Sequence, residues 1–171
     1  GLKQRQRLAA LLGPWIANSR QPDHQAAAAS WVIRDWGGIK SHSAKTIREF
    51  LIALGDFSET AILRFVQATE TKRVSSWSKL LAFVLPETHA IYDSRVAVGL
   101  NLALDRLASP GRQRRFAMPA GQNKTITGAR SKLLTDGSSG PVLGYWDYLG
   151  LLRGFRDIVE THPTLLRAEM A

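Results

Sequence analysis

Residues 75–96 read SSWSKLLAFVLPETHAIYDSRV and begin with a helical segment that is apolar on nearly every side. A helix of that kind lies at the centre of its domain, and Pro86 ends it. Asp93 then stands directly before Ser94, at the start of another apolar run. A carboxylate in that position can cap the free N–H groups of the next helix, or it can face a ligand. The sequence leaves both roles open for Asp93.

Helical spacing of apolar residues continues on both sides of this stretch. Gly13 and Pro14 end the first predicted helix, Ser43 and Gly55 bound a later one, and Ser58 begins the next. The predicted helices cover residues 2–12, 22–36, 44–54, 59–69, 76–85, 94–107 and 145–160, with a short final turn at 164–170. No alternating pattern is long enough for a sheet. The sequence therefore predicts an all-α fold, with residues 1–171 in one helical domain.

The composition argues against several classes of protein. With 44% apolar residues in a chain of 171, a core can form and global disorder is not expected. An apolar run of about eighteen residues is missing, as is an apolar block behind the first basic residues, which argues against a membrane span and a secretory signal. Cysteine is absent and the four histidines are scattered. We therefore expect no disulfide, no metal site and no cofactor, and a reducing cytoplasm fits.

The charge is positive and clustered. There are 23 lysines and arginines against 14 acidic residues, which gives a net charge of +9 and favours nucleic acid over a membrane surface as partner. We expect a long basic loop over residues 108–141, where no acid occurs between Asp105 and Asp136. Its cations are Arg112, Arg114, Arg115, Lys124, Arg130 and Lys132. Such a loop either contacts phosphates or is a solvated connection.

The motif around Asp93 resembles a known family. A short apolar helix, a proline-bearing loop, a hydrophobic pair and the letters DSRV (93–96) are similar to the core of the helix-hairpin-helix DNA glycosylase superfamily. The 8-oxoguanine-glycosylase-like bacterial branch is the most similar, and VIRDWGGI (32–39) and YWDYLGLLR (145–153) are compatible with it. The resemblance covers little more than residues 75–96. It implies DNA as the partner and the nucleoid of a bacterial cytoplasm as the location.

The resemblance also implies roles for single residues. Asp93 would stabilise the oxocarbenium-like cation that forms as a base leaves an extruded nucleotide. Lys79 would be the amine nucleophile of bifunctional family members, which then cleave the backbone through a Schiff base. Residues 72–77 would form the hairpin whose backbone amides grip a phosphate, and Arg95 would hold a phosphate or an internal acid. The DNA contacts implied here are Lys72, Arg73, Ser75, Ser76 and Arg95.

Two features depart from the family pattern. Lys79 lies 14 residues before Asp93, about one helical turn less than in the family, and counting without a gap puts Ser75 at the lysine position. The segment KRVSSWS (72–78) has no glycine, so a tight turn there would place another residue at positive φ. Lys79 therefore has three interpretations: a Schiff-base nucleophile, a phosphate contact, or a helical lysine that extends its ammonium group to water.

Aromatic side chains are candidates for stacking on an extruded base, although most are better explained as core. The candidate base-pocket residues are Trp77, Tyr92, Trp146 and Phe155.

Three functions stay open. The first is a DNA glycosylase-like enzyme that cleaves the N-glycosidic bond of a flipped modified base, with or without lyase activity. The second is a non-catalytic DNA-binding module of a bacterial repair or defence system. The third is a helical protein-interaction domain in which Asp93 is only a cap.

Overall fold

The computed structural model describes residues 2–18, 20–69, 72–107, 114–121, 123–135 and 142–161. In these ranges the helices are α1 (Leu2–Asn18), α2 (Pro22–Ser30), α3 (Ala44–Leu54), α4 (Glu59–Thr69), α5 (Val74–Val84), α6 (Ser94–Leu107), α7 (Lys124–Thr135) and α8 (Tyr145–Thr161). Strands β1 (Arg115–Phe116) and β2 (Val142–Leu143) form one short parallel pair. The predicted all-α class is confirmed. None of the helices described here is long and apolar enough to cross a bilayer.

Helices α3 and α4 begin where their serine caps predict. The Oγ atom of Ser43 accepts a hydrogen bond from the N–H of Thr46 at 3.2 Å, and Ser58 does the same for Ala61 at 3.3 Å. Gly55 ends α3 with a φ of 57°, a conformation that favours glycine. The buried residues are Ile47, Phe50, Leu51 and Leu54 in α3, and Ile62, Phe65 and Val66 in α4. Local signals and core packing therefore agree in this part of the chain.

Helix α1 continues past Gly13 and Pro14, so the predicted boundary there is wrong. A proline inside a helix removes one hydrogen bond and costs about 3 kcal/mol. Gly13 lies so close to α5 that a Cβ atom on it would be 2.5 Å from the carbonyl oxygen of Phe83. Ile16, beyond the proline, is 0% exposed. Close packing on α5 and the burial of Ile16 offset the local cost.

The segment 108–141 is not one continuous loop, which corrects the second prediction. Residues 124–135 form α7, whose first turn is capped by Asn123: its Oδ1 accepts the N–H of Ile126 at 3.2 Å. The sequence of α7, KTITGARSKLLT, contains a glycine and β-branched residues that weaken its helical signal. Strand β1 is held by Asn101 of α6, whose amide bonds both backbone groups of Phe116. The predicted turn at 164–170 lies outside the described residues.

Helix α5 is central, as its apolar composition predicts, although it begins at Val74 rather than at residue 76. Trp77 and Phe83 are both 0% exposed. The Trp77 ring meets the rings of Phe65 and Tyr145 edge to face, with centroids 5.8 and 4.8 Å away. The aromatic core therefore joins α4, α5 and α8, and it holds α5 in a fixed position relative to these two helices.

Helix α2 continues into a π-helical segment, Trp31–Trp36. Gly37 ends this segment, and its N–H donates to the carbonyl oxygen of Val32 at 3.0 Å. A Cβ atom on Gly37 would lie 2.8 Å from Cδ of Lys79, and 2.6 and 2.7 Å from the carbonyl oxygens of Ile33 and Val32. Only glycine therefore lets this segment lie against the stem of Lys79. Short π-helical turns are rare and frequently occur at functional sites.

Candidate active site

The backbone just before Asp93 is attached to α5 by one hydroxyl group. The Oγ atom of Ser78 accepts a hydrogen bond from the N–H of Tyr92 at 3.0 Å and donates one to its carbonyl oxygen at 3.3 Å. Ser78 is fully buried, so both backbone groups of Tyr92 are satisfied without water. The start of α6 is thereby fixed relative to α5, the helix that carries Lys79.

Two tyrosines of α8 hold the same segment from the other side. The hydroxyl of Tyr145 donates to the carbonyl oxygen of Ala90 at 3.0 Å, and that of Tyr148 donates to Ile91 at 3.1 Å. Burial raises the pKa of both phenols, so they act as neutral donors. Residues 90–92 are therefore held by α5 and α8 together, and Asp93 follows from a rigid backbone.

The two oxygens of the Asp93 carboxylate have different partners. Oδ1 accepts the N–H groups of Arg95 and Val96 at 3.0 and 3.2 Å, and it caps α6 as one interpretation of the sequence predicts. Oδ2 accepts a hydrogen bond from the guanidinium of Arg95 at 2.9 Å and lies 3.8 Å from Nζ of Lys79. Arg95 therefore holds an internal acid. One carboxylate oxygen serves the helix, and the other faces two cations.

The environment of Asp93 favours its ionised form. Burial by itself raises the pKa of this carboxyl group, because charge is disfavoured away from water. The hydrogen bond from Arg95, the N–H of Val96 and the charge of Lys79 together outweigh burial, and the pKa of Asp93 lies below its ordinary value. The group is therefore a carboxylate at neutral pH.

The ammonium group of Lys79 is buried. Its side chain is 5% exposed, and Nζ donates to the carbonyl oxygen of Ser75 at 3.0 Å besides facing Asp93. The interpretation in which this lysine extends into water is therefore wrong. Burial lowers the pKa of Lys79, and Arg95 lowers it further, while the carboxylate of Asp93 opposes them without cancelling them. Such an amine loses its proton more readily than an exposed lysine does.

Lys79 and Asp93 line an open cleft of about 550 Å³. Four parts of the described chain form its walls: the loop 37–42 after the π-helical segment, the start of α5, the start of α6, and residues 119–121 and 123 before α7. Arg73 and Arg95 also line it, so the described part of the wall carries three cations and one carboxylate. The cleft is positively charged, and it is large enough for a nucleotide-sized group.

His42 is a member of the cleft that the sequence patterns do not single out. Its Nε2 shares a hydrogen bond of 2.6 Å with Oγ of Ser76, and its ring meets Phe50 edge to face at 5.6 Å. Burial lowers the pKa of His42, and the charge of Arg73 lowers it further. The two partners of the hydrogen bond are 34 residues apart, so local sequence contains no signal for this contact.

The turn that leads into α5 contains a residue with positive φ, although no glycine is present there. Arg73 adopts a φ of 56° and a ψ of 21°, which costs a residue with a side chain about 1 kcal/mol. Its guanidinium group lies 6.0 Å from the ring centre of Phe50. Because α5 begins at Val74, residues 75–77 are helical and the predicted hairpin at 72–77 is corrected to a shorter turn. Lys72 is exposed in that turn.

The predicted DNA contacts separate into three groups. Arg73, Ser75, Ser76 and Arg95 line the cleft, and Oγ of Ser75 is buried without a hydrogen-bond partner among the described residues. Exposed positions are taken by Lys72, Arg114, Lys124 and Lys132. One prediction is corrected, because Arg115 is 8% exposed and pairs with Asp105 at 3.1 Å. Arg130 is half-buried, and its Nε donates to the carbonyl oxygen of Met118 at 3.0 Å. Arg112 lies outside the described residues.

The four candidate base-pocket residues do not meet in the cleft. Trp77 and Tyr92 are 0% and 1% exposed and belong to the core, and the hydroxyl of Tyr92 donates to Ala117 at 2.5 Å. Trp146 packs against the core beside His89, and Phe155 is 59% exposed on α8. The assignment of these residues to a base pocket is therefore corrected. Trp77, Tyr92 and Trp146 instead make edge-to-face contacts with other rings of the protein.

Among the described residues, no group of three histidine or acidic side chains lies close enough to hold a metal ion. Comparison with known proteins found no matching family model, no matching curated protein and no matching solved structure. What the cleft does is therefore inferred from its own residues and from the short resemblance around Asp93.

Proposed function

We propose that this chain is a DNA glycosylase-like enzyme of helix-hairpin-helix type, with α4 and α5 as the two helices. It would bind DNA and break the N-glycosidic bond of an extruded, modified base. The observation that carries the proposal is the buried pair of Lys79 and Asp93, whose Nζ and Oδ2 atoms are 3.8 Å apart in the wall of the cleft. Two apolar side chains would be at least as stable in such a place, so the pair is better explained by chemistry.

Lys79 supplies the nucleophile in this mechanism. Its neutral amine attacks C1′ of the extruded nucleotide, and the base leaves with the electron pair of the C1′–N bond and takes up a proton. The lysine nitrogen then loses a proton, the C1′–O4′ bond opens, and a proton goes to O4′, which leaves a Schiff base. The lowered pKa of Lys79 supports this role, because it increases the fraction of lysine that is neutral.

Asp93 stabilises the positive charge that develops on the sugar as the base leaves. The two N–H donors from α6 fix the orientation of the carboxylate before substrate arrives, so little reorganisation is needed during the reaction. Oδ2 faces Lys79 and Arg95, which both line the cleft, and the Arg95 side chain is 72% exposed, so its guanidinium group can turn toward a DNA phosphate. Turning would free Oδ2 for the sugar.

Phosphate binding is assigned to the exposed cations at the mouth of the cleft. Arg73 and Arg95 line it, and Lys72 is exposed in the turn before α5. Each phosphate contact releases a counterion, so DNA affinity would fall steeply with salt concentration. The net charge of +9 supports the same assignment.

Two observations favour other functions. Both oxygens of Asp93 are engaged, which favours a non-catalytic DNA-binding module on the same scaffold. On α8, the side chains of Leu151, Phe155 and Ile158 are 45%, 59% and 58% exposed, which favours a protein-interaction domain. Neither observation explains why an ammonium group is buried beside the cleft, and the glycosylase proposal does.

The test is a single-turnover excision assay on duplexes that each carry one modified base, combined with borohydride trapping. We expect release of at least one base, no trapping by Lys79→Ala, and excision about 100-fold slower in both Lys79→Ala and Asp93→Asn. Lys45→Ala is the matched control, since Lys45 is exposed on α3. Salt-dependent DNA binding without any excision would replace the proposal by the non-catalytic module, and no salt-dependent binding would replace it by the protein-interaction domain.

A further inference from the structure

His42 is held in the cleft by two helices. Its Nε2 bonds Oγ of Ser76, which is 2% exposed and lies one helical turn before Lys79 on the same face of α5. From α3, the ring of Phe50 meets the imidazole edge to face at 5.6 Å. A ring fixed by a hydrogen bond on one side and an aromatic contact on the other has a defined orientation before any ligand binds.

One nitrogen of His42 is available to a ligand. Nε2 is engaged with Ser76, while Nδ1 has no hydrogen-bond partner in the part of the chain that the structure describes. Burial and the charge of Arg73 lower the pKa of the ring, so it is neutral at physiological pH. A neutral imidazole whose first nitrogen is held offers one directional donor or acceptor at the second.

Besides the charged side chains of Arg73, Lys79, Asp93 and Arg95, several residues of the cleft wall have small side chains or none. Gly38 and Ser41 lie in the same loop as His42, and Ala120 and Gly121 lie in the wall before α7. Among the wall residues that the structure describes, His42 carries the only aromatic ring. A planar ligand in this cleft therefore meets one fixed aromatic ring that also offers a directional polar atom, and a few such placed polar groups set the orientation of a ligand in its pocket.

We propose that His42 reads the extruded base, with Nδ1 hydrogen-bonded to the edge of the heterocycle while Lys79 attacks the sugar. This inference rests on the proposed function and adds its substrate-recognition residue. The substrate class is a base whose edge presents a hydrogen-bonding group to a neutral imidazole. A nucleotide that has already lost its base does not need this contact.

The experiment separates base recognition from the sugar chemistry by using two duplexes, one with the modified base that the wild type releases and one with an abasic site. His42→Phe keeps a ring beside Phe50 but loses both the proposed Nδ1 hydrogen bond to the base and the Nε2 hydrogen bond to Ser76, whereas His42→Gln keeps hydrogen-bonding capacity. We expect His42→Phe to lower excision about 10-fold or more, as the loss of one hydrogen bond does, and to trap on the abasic duplex at the wild-type rate. His42→Gln should retain more excision than His42→Phe.

The control is His24→Phe. His24 is an exposed histidine of α2 whose ring lies beside Trp15 of α1, and its replacement should leave both reactions unchanged. Equal losses of excision and abasic trapping in His42→Phe would overturn the inference, because they would indicate a structural role. Unchanged excision in His42→Phe would overturn it as well. A wild-type protein that neither excises nor traps would instead overturn the proposed function, and the inference with it.

Discussion

Replacing Asp93 by asparagine removes a charge and keeps most of the geometry. Asparagine caps helices about as well as aspartate, so the N-terminus of α6 loses little. The substitution mainly affects Lys79, whose side chain is 5% exposed. Its ammonium group loses the Asp93 carboxylate 3.8 Å away, the only one that faces it in the described part of the chain. A buried, unpaired ammonium is strongly destabilising unless the amine releases its proton.

Proton release sets an upper limit on the free energy lost in Asp93→Asn. The ordinary pKa of Lys79 is 10.5, and neutralising the amine costs about 1.4 kcal/mol for each pH unit below that value. The cost of leaving Lys79 without its carboxylate is thus at most about 4 kcal/mol near pH 7.5 and about 2 kcal/mol near pH 9. Because the pKa of Lys79 is lowered by folding, the unfolded chain binds more protons and the penalty shrinks as the pH rises.

The assay is urea unfolding of wild type and Asp93→Asn at these two pH values, with Lys79→Met and the double variant alongside. We expect the difference between wild type and Asp93→Asn to narrow by up to about 2 kcal/mol at the higher pH. The double variant should lose less than the sum of the single variants. Asp23→Asn is the control, since Asp23 is 83% exposed in its pair with Arg48. A pH-independent difference, or strict additivity, would refute the reasoning.

Three further predictions concern the support of the site. Gly37→Ala should lower the free energy of unfolding by about 1–3 kcal/mol, because the added methyl group would overpack against Lys79 and the nearby backbone oxygens. Gly99 on α6 has open space around it, so Gly99→Ala should be neutral or stabilise the protein by up to about 1 kcal/mol. Thermal unfolding measures both effects. Ser78→Ala leaves two backbone groups of Tyr92 without partners and should cost about 2–3 kcal/mol in urea unfolding while slowing excision; a loss below about 0.5 kcal/mol would contradict it. Arg73→Ala should reduce the slope of DNA affinity against salt concentration by about 1, measured by fluorescence anisotropy, and an unchanged slope would remove Arg73 from the phosphate contacts.

The parts of the fold that sequence predicts well are those decided within a few residues. The caps Ser43 and Ser58 and the breaker Gly55 set helix ends by local hydrogen bonds and backbone freedom, and the structure has them there. Asp93 caps α6 for the same local reason. The missing glycine in the turn before α5 is a departure from the family pattern, and Arg73 adopts the positive φ there despite its side chain.

The parts that sequence misses are decided by contacts between distant residues. Helix α1 continues past Pro14 because its C-terminal end is buried against α5. The free energy gained by that burial depends on residues far away in the sequence, so a local sequence pattern cannot predict it. The basic neighbours of Arg115 in the sequence predict a phosphate contact, yet the fold brings Arg115 to Asp105. His42 joins the cleft through Ser76, across 34 residues, so a helical pattern cannot reveal it.

Identification of the residue that carries the trapped sugar is the most direct test of the proposed chemistry. Wild-type protein is incubated with an abasic duplex and borohydride, digested, and the modified peptide is sequenced by mass spectrometry. We predict one reduced sugar adduct, on Nζ of Lys79, formed faster as the pH rises toward the lowered pKa of this amine. An adduct on an exposed lysine such as Lys72, or one that persists unchanged in Lys79→Ala, would contradict the central claim.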